Sequence, residues 1–267
     1  MLTLQLKKPD GPRIDARGLA PGQFTDIDLL AAFSLPVGNQ RSPVAGLFDI
    51  TGHPADAEWH LTGDCSRVDY AGHGLSNGRL AIDGPVGRHC GARMRGGRIE
   101  VSSDADDWLG AEMRGGEIRV RGDAGRCAGG GYTGSKFGMR GGSIVIAGRA
   151  GPEAGRQMRR GVLIAVGGCG ELAGYQMRAG TLLTFGPAGG NPGLEMLRGT
   201  IGLFGKSAAP PATFRRACRA GLTSVRLLRS EAQRLLGAHG RCIPDEVDLY
   251  NGDLLRGGRG ELLMTPD

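Results

Sequence analysis

The sequence predicts an all-β fold: a right-handed, single-stranded parallel β-helix of about seven 19-residue coils, closed by an N-terminal cap and followed by a C-terminal α-helix. Three observations carry this reading. One motif returns at a fixed spacing, apolar residues alternate within it, and 50 of the 267 residues are glycine, about 19% against the ~7% of ordinary proteins.

The repeat is anchored at Leu75, Met94, Met113, Met139, Met158, Met177 and Met196, with gaps of 19, 19, 26, 19, 19 and 19 residues, so one unit carries a seven-residue insertion. Three residues past every anchor stands glycine, from Gly78 to Gly199; nine past it glycine recurs in every unit but one, where Ser103 replaces it. Positions five and seven past the anchor are apolar, as in Ile118 and Val120 or Ile144 and Ile146, while their neighbours vary. That alternation belongs to a short strand with one buried face. A four-residue strand buries little alone, but identical units stacked at the ~4.8 Å strand spacing share one core. Glycines at fixed offsets then mark where the chain turns or where a β-carbon does not fit. The methionines form a core column, a reading preferred to a methionine metal site. Collagen is excluded because glycine does not recur every third residue, and disorder because 40% of residues are hydrophobic and periodically placed.

Taken in chain order, residues 1–45 form the cap segment, with a short strand at Thr3 to Lys7 and a helical turn at Asp28 to Phe33. Residues 46–206 form the β-helix, in which Leu47 to Gly52 and Trp59 to Gly63 read as degenerate coils. Residues 207–240 hold an amphipathic helix from Thr213 to Leu236, because Phe214, Cys218, Leu222, Val225, Leu228, Ala232 and Leu235 recur at three- and four-residue spacing. Thr213 would be its N-cap and Gly237 its terminator. Residues 241–267 remain as a tail. Outward strand positions are polar in early coils (Arg98, Glu100, Glu117, Arg119, Arg121) and apolar later (Val145, Val162, Ile164, Val166, Leu183, Phe185, Phe204). An apolar face of that kind is covered either by the C-terminal helix folding back or by another subunit, and both can share it.

Charge and composition narrow the function classes. Basic residues number 33 against 27 acidic ones, and all but Lys7, Lys8, Lys136 and Lys206 are arginine, which favours planar carboxylate or phosphate partners. Six cysteines (65, 90, 127, 169, 218 and 242) include no C-x-x-C pair, so reduced thiols in a cytoplasmic protein are expected, without a zinc or iron-sulfur site. No secretory segment or membrane span is visible, and neither nucleic acid nor membrane is an expected partner. Histidines 53, 60, 73, 89 and 239 form no metal-binding or catalytic motif, and no serine sits in a nucleophile elbow. No catalytic residue and no metal ligand is assigned.

Two features remain as binding candidates. The residue after the methionine is arginine in five coils, Arg95, Arg114, Arg140, Arg159 and Arg178. Stacked like charges repel, so this ladder is relieved by solvent or by anions from a ligand or partner. The insertion, Gly129 to Lys136, lacks the ending of a phosphate loop and reads as a partner-contact loop presenting Tyr132 and Lys136. Asp104, Asp106 and Asp107 read as a solvated acidic loop rather than a calcium or acid-base site.

The coil motif, as in Met113 to Gly125 and Met139 to Gly151, resembles the β-helix shared by the C-terminal domain of glutamate synthase and the C-subunit of formylmethanofuran dehydrogenases. The flanking Leu35-Pro-Val-Gly-Asn39, Leu47-Phe-Asp-Ile-Thr-Gly52, Tyr250-Asn-Gly-Asp253 and Gly257-Gly-Arg-Gly-Glu261 are similar to the second. The resemblance implies a structural subunit of a one-carbon complex whose catalytic sites lie in other subunits. Arginine in place of lysine favours the version found in GC-rich methylotrophic bacteria, the formyltransferase/hydrolase complex. There a formyl group passes from tetrahydromethanopterin to a methanofuran analogue and is hydrolysed to formate during formaldehyde oxidation. Cofactors of these systems carry glutamate tails, so the resemblance implies that the arginine ladder holds a polyglutamate tail or an acidic partner. The alternatives are the C-subunit of a tungsten or molybdenum dehydrogenase, a detached glutamate synthase-like domain, or a stand-alone β-helix enzyme, though neither a lyase groove nor a hexapeptide period is present.

Overall fold

The computed structural model describes residues 1–207, 209–221, 223–237 and 243–266. The strands at Glu58–Thr62, Arg79–Asp83, Arg98–Val101, Glu117–Val120, Arg140–Ile146, Arg160–Ala165, Thr181–Thr184 and Gly199–Leu203 pair in parallel, each with the next. Their register sets Ile99, Ile118, Ile144, Leu163, Leu182 and Ile201 side by side. A second parallel ladder runs through Cys65, Val86, Ala105, Ala124, Ala150, Cys169, Ala188 and Ser207. Each unit therefore adds one step to two ladders, and the apolar residues between them form a continuous core. All six anchor methionines are fully buried in it, where an unbranched thioether fills the gap between strand and turn.

Glycine serves two purposes in the stack. Gly161 sits three residues past its anchor at φ +98°, a conformation that costs other residues a steric penalty. Gly186, nine past its anchor, has an ordinary φ, but a β-carbon there would lie 2.3 Å from the Gly167 carbonyl oxygen. A further corner is turned at positive φ by side-chain-bearing residues, including Tyr70, His89, Trp108, Cys127 and Leu172.

At the N-terminal end the strand Leu2–Leu6 extends the sheet parallel to Glu58–Thr62. Phe48–Thr51 then pairs with it antiparallel and ends the sheet. The Leu47 to Gly52 segment is thus an edge strand rather than a degenerate coil, whereas Trp59 to Gly63 does join the parallel stack. Reversing the edge strand lets Phe48 close the core end without opening another parallel step. The helical turn expected near residue 28 is the helix Ile27–Ala32, whose N-cap Asp26 accepts hydrogen bonds from the Asp28 and Leu29 amides at 2.7 and 3.2 Å.

The C-terminal region departs most from expectation. The helix spans Thr223–Leu236, and the first half of the predicted helix is instead a strand, Arg215–Ala220. Leu222 and the segment 238–242, with His239 and Cys242, lie outside the described residues. The strand pairs antiparallel with Val247–Gly252, where Asp248 receives hydrogen bonds from both Arg216 and Arg219. That pairing outweighs the helical spacing of Phe214 and Cys218. Phe214 turns instead into the main core, and the Thr213 hydroxyl caps nothing. The segment read as a tail supplies two strands; Gly260–Met264 pairs in parallel with Gly199–Leu203 and continues the stack.

The later apolar outward face is covered from within the chain. Val145, Ile164 and Leu183 pack with Val225, Ala232 and Leu235 of the helix and with Ile243 and Val247.

Candidate anion-binding groove

Beside the last coils lies an open groove of about 1030 Å³, lined by Arg159, Arg160, Arg178, Arg198, Arg256 and Arg259 around Phe137. Among the described residues no carboxylate lines it. The repeat itself positions the arginines. The pairing of Val162 with Thr181, Thr181 with Thr200 and Thr200 with Glu261 sets Arg160, at the start of its strand, in line with Ala179, Arg198 and Arg259, which lead into the next three strands. Arg159 and Arg178 stand one residue further back, in the turns that lead into neighbouring strands. Arg256 comes from the turn between the two C-terminal strands.

Like charges so placed repel, and Phe137 relieves part of that repulsion. Its ring centre lies 4.8 Å from the Arg159 guanidinium carbon and 5.1 Å from that of Arg178, within the range of cation–π attraction. Among the described residues none of the six groove arginines pairs with a carboxylate. The outward face of the early coils behaves differently: Arg79 bonds Glu100 at 2.7 Å and Arg98 bonds Glu117 at 2.9 Å, so charge is neutralised along that row.

The groove thus contains two of the five arginines singled out from the sequence, Arg159 and Arg178. Arg95 and Arg114 are exposed on earlier coils outside it, and Arg140 is half-buried with its Nε lacking a hydrogen-bond partner. The sequence reading missed Arg160 and Arg198, although a signal was present: they stand two past their anchors, where four other coils carry Gly96, Gly115, Gly141 and Ala179. Arg256, Arg259 and Phe137 had no such signal, because only the folded chain brings them alongside.

The insertion feeds two places. Phe137 follows directly on its end, and within it Tyr132 folds into a row of rings, Tyr70, His89 and Trp108, that follows the positive-φ corner. Tyr70 stacks on His89 at 4.4 Å, Trp108 lies 5.1 Å from Tyr132, and the Tyr132 hydroxyl is 3.0 Å from His89 Nδ1. Ser135 hydrogen-bonds Glu112, which is also paired with Arg93 at 3.0 Å. Burial lowers the pKa of His89 and raises that of the Tyr132 hydroxyl, so both are neutral near pH 7. Lys136 is exposed.

The acidic residues 104–107 are not a free solvated loop. Asp104 accepts the Asp123 amide, and Asp107 the Arg126 amide, each at 2.7 Å, tying one coil to the next where glycine is missing. Asp106 pairs with Arg13 at 3.1 Å and with Arg88 at 3.3 Å. Burial pushes the thiols of Cys65 and Cys90 up to about 12, too high for a nucleophile. Among the described residues no three His, Cys, Asp or Glu side chains converge as metal ligands, and no helix is long and apolar enough to cross a membrane.

No sequence-family model matches the chain. A chain in the crystal structure of the formyltransferase/hydrolase complex (FhcABCD) from Methylorubrum extorquens, in complex with methylofuran, superposes with a TM-score of 0.93 and 28% identity. The alignment covers 99% of this chain and 100% of that one. This chain resembles a component of that complex from end to end. Curated relatives agree over a shorter stretch. The C-subunit of the molybdenum-containing formylmethanofuran dehydrogenase 1 of Methanothermobacter thermautotrophicus is 39% identical over 81 residues, and that of Methanothermobacter marburgensis 39% over 82. Those matches span 29% of this chain and 20% of the length of each relative. The likeness drawn from the coil and flanking motifs therefore holds.

Proposed function

We propose that this chain is the structural, non-catalytic C-subunit of a cytoplasmic complex that moves a formyl group from tetrahydromethanopterin to a methanofuran analogue and hydrolyses it to formate. The observation that carries this reading is the end-to-end likeness to a chain of the FhcABCD complex, at a TM-score of 0.93. Methylofuran in that complex supports a methanofuran-type cofactor at the level of the assembly.

In this reading the repeat is a right-handed parallel β-helix of about seven coils spanning residues 46–206, a rigid rod that holds the other subunits at fixed distances. Residues 1–45 cap it, 207–240 carry the helix that covers its apolar face, and 241–267 complete its last steps. The arginine ladder, Arg95, Arg114, Arg140, Arg159 and Arg178, faces an anionic chain or acidic subunit, with a polyglutamate cofactor tail as one such chain. Tyr132 and Lys136 lie on the insertion that contacts a partner. The C-subunit of a molybdenum dehydrogenase is the second reading, favoured by the 39% identity of the shorter match.

The test is purification of the tagged chain from its native host, followed by identification of the copurifying proteins and assay of formyl transfer and hydrolysis. A hydrolase-like and a formyltransferase subunit should copurify, with activity in the assembly and none in the isolated chain. A molybdopterin subunit in their place would select the second reading; activity in the isolated chain would overturn both.

A further inference from the structure

Among the described residues six large apolar side chains are exposed, and only Leu254 and Leu255 are neighbours in sequence, at 49% and 80% exposure. A single exposed leucine is ordinary. This pair sits in the turn that joins the strands Val247–Gly252 and Gly260–Met264 at the C-terminal end of the stack. Neither leucine joins either hydrophobic core.

The turn is held more firmly than a chain reversal requires. The fully buried Asp253 commits both carboxyl oxygens to it: Oδ1 accepts the Leu255 amide and Oδ2 the Glu195 amide, each at 3.0 Å. Its carbonyl accepts the Arg256 amide at 2.9 Å and the Gly258 amide at 2.8 Å, and the Leu254 amide donates to the Thr213 carbonyl at 3.0 Å. Gly257 closes the turn at φ +97°. Side chains presented from so fixed a backbone lose little further freedom on binding, which raises the affinity their burial yields.

The surroundings select the occupant. Arg256 and Arg259 follow the leucines, and Arg215 stands opposite Asn251 at the entry to the turn; all three are exposed. Among the described residues none of the three pairs with a carboxylate. A second copy docking about a two-fold axis would set this patch against itself and bring like charges together. Two leucine side chains are also too small an anchor for a lipid surface, on which even a myristoyl chain binds only marginally. The shape and charge fit a concave apolar pocket with carboxylates at its rim, on a different folded chain.

We propose that Leu254 and Leu255 form a preorganised anchor that inserts into an apolar, carboxylate-rimmed pocket on another subunit of the assembly. The proposal rests on the subunit reading given under Proposed function and adds to it a point of contact. Burial of the two leucines supplies the affinity, and the flanking arginines steer the approach and reject partners of the wrong charge.

The experiment uses the tagged full chain in its native host. The double variant Leu254→Ser, Leu255→Ser should keep its melting temperature, because both side chains are exposed, and should retain one subunit about tenfold less than the wild type does. Leu227→Ser, exposed on the C-terminal helix, should retain every subunit. Benzoylphenylalanine in place of Leu255 should, on irradiation, crosslink to the subunit that the double variant loses, and peptide mapping should place the crosslink among apolar residues flanked by Asp or Glu. This arm needs no destabilised variant. Wild-type retention in the double variant, a crosslink to a second copy of this chain or to no other chain, or binding to phosphatidylglycerol vesicles that the double variant loses would overturn the proposal. The two readings fail separately. If the formyl-transferring subunits copurify equally with wild type and double variant, the subunit reading stands and the anchor falls; if other subunits copurify and the double variant loses one of them, the anchor stands and the subunit reading falls.

Discussion

The Arg119 guanidinium donates a hydrogen bond of 2.9 Å to the backbone carbonyl of Leu235, linking the middle of the parallel sheet to the end of the C-terminal helix across 116 residues of sequence. Carbonyls in the last turn of a helix have no partner within it, and a cation there also opposes the helix dipole. Arg119→Ala should therefore loosen the last turn before anything else. Hydrogen exchange at residues 232–237 should accelerate, with a stability loss of about 1–2 kcal/mol, while exchange in the methionine core stays slow.

The helix is held chiefly by packing. Leu183 and Ile164, fully buried, face Val225 and Leu235. Leu183→Ala should cost about 2–4 kcal/mol through lost transfer energy and the cavity left behind. Leu183→Asp should detach the helix outright and expose the apolar face, seen as dye binding and oligomerisation. An unchanged melting temperature in the alanine variant would show that the face is not covered in solution.

The row of rings carries a pH signature. Burial lowers the pKa of His89 below its ordinary value, so its contribution to stability is complete above the unfolded value of about 6.5 and is lost as pH falls through the folded one. Trp108 lies 6.4 Å from His89 and reports on the row. Its fluorescence should change below about pH 6.5, and His89→Gln should abolish that change while Arg95→Gln retains it.

A second pH effect belongs to the C-terminal strand pair. Hydrogen bonds from Arg219 and then Arg216 hold the Asp248 carboxyl well below the usual carboxylate range. The stabilisation is present above the unfolded value near 4 and fades as pH falls through the lower folded value. Asp248→Asn should raise exchange in residues 215–220 at pH 7 and remove its acid dependence.

Thiol reactivity separates the cysteines. Cys65 and Cys90 are buried with pKa values raised to about 12, and Cys127 and Cys169 to about 11, whereas Cys218 is exposed. Iodoacetamide at pH 8 should label Cys218 rapidly and those four only on unfolding, as read by peptide mass mapping.

The stack itself was legible because repetition multiplies a weak signal. One Ile-x-Val strand says little, but the same offsets from Leu75 to Met196 define columns, and the columns are those paired in the sheet. Where repetition stops, the reading weakens. Phe214, Cys218 and Val225 have helical spacing, yet Arg215–Ala220 becomes a strand because Val247–Gly252 offers it a ladder and Asp248 pairs with its arginines. The edge strand Phe48–Thr51 has the composition of a coil, and only its partner Leu2–Leu6 sets its direction.

The groove divides along the same line. Arg159 and Arg178 belong to a column and were visible in the sequence, while Arg256, Arg259 and Phe137 reach the groove through a turn and an insertion that no period describes. The sequence by itself determined the parallel stack, its methionine core and the apolar face that needs a cover, because each follows from local periodicity and burial. Only the tertiary structure decided which segment covers that face and where uncompensated positive charge gathers. Those depend on contacts between residues far apart in the chain, such as Arg119 with Leu235 and Arg198 beside Arg259, whose energies local pattern does not encode.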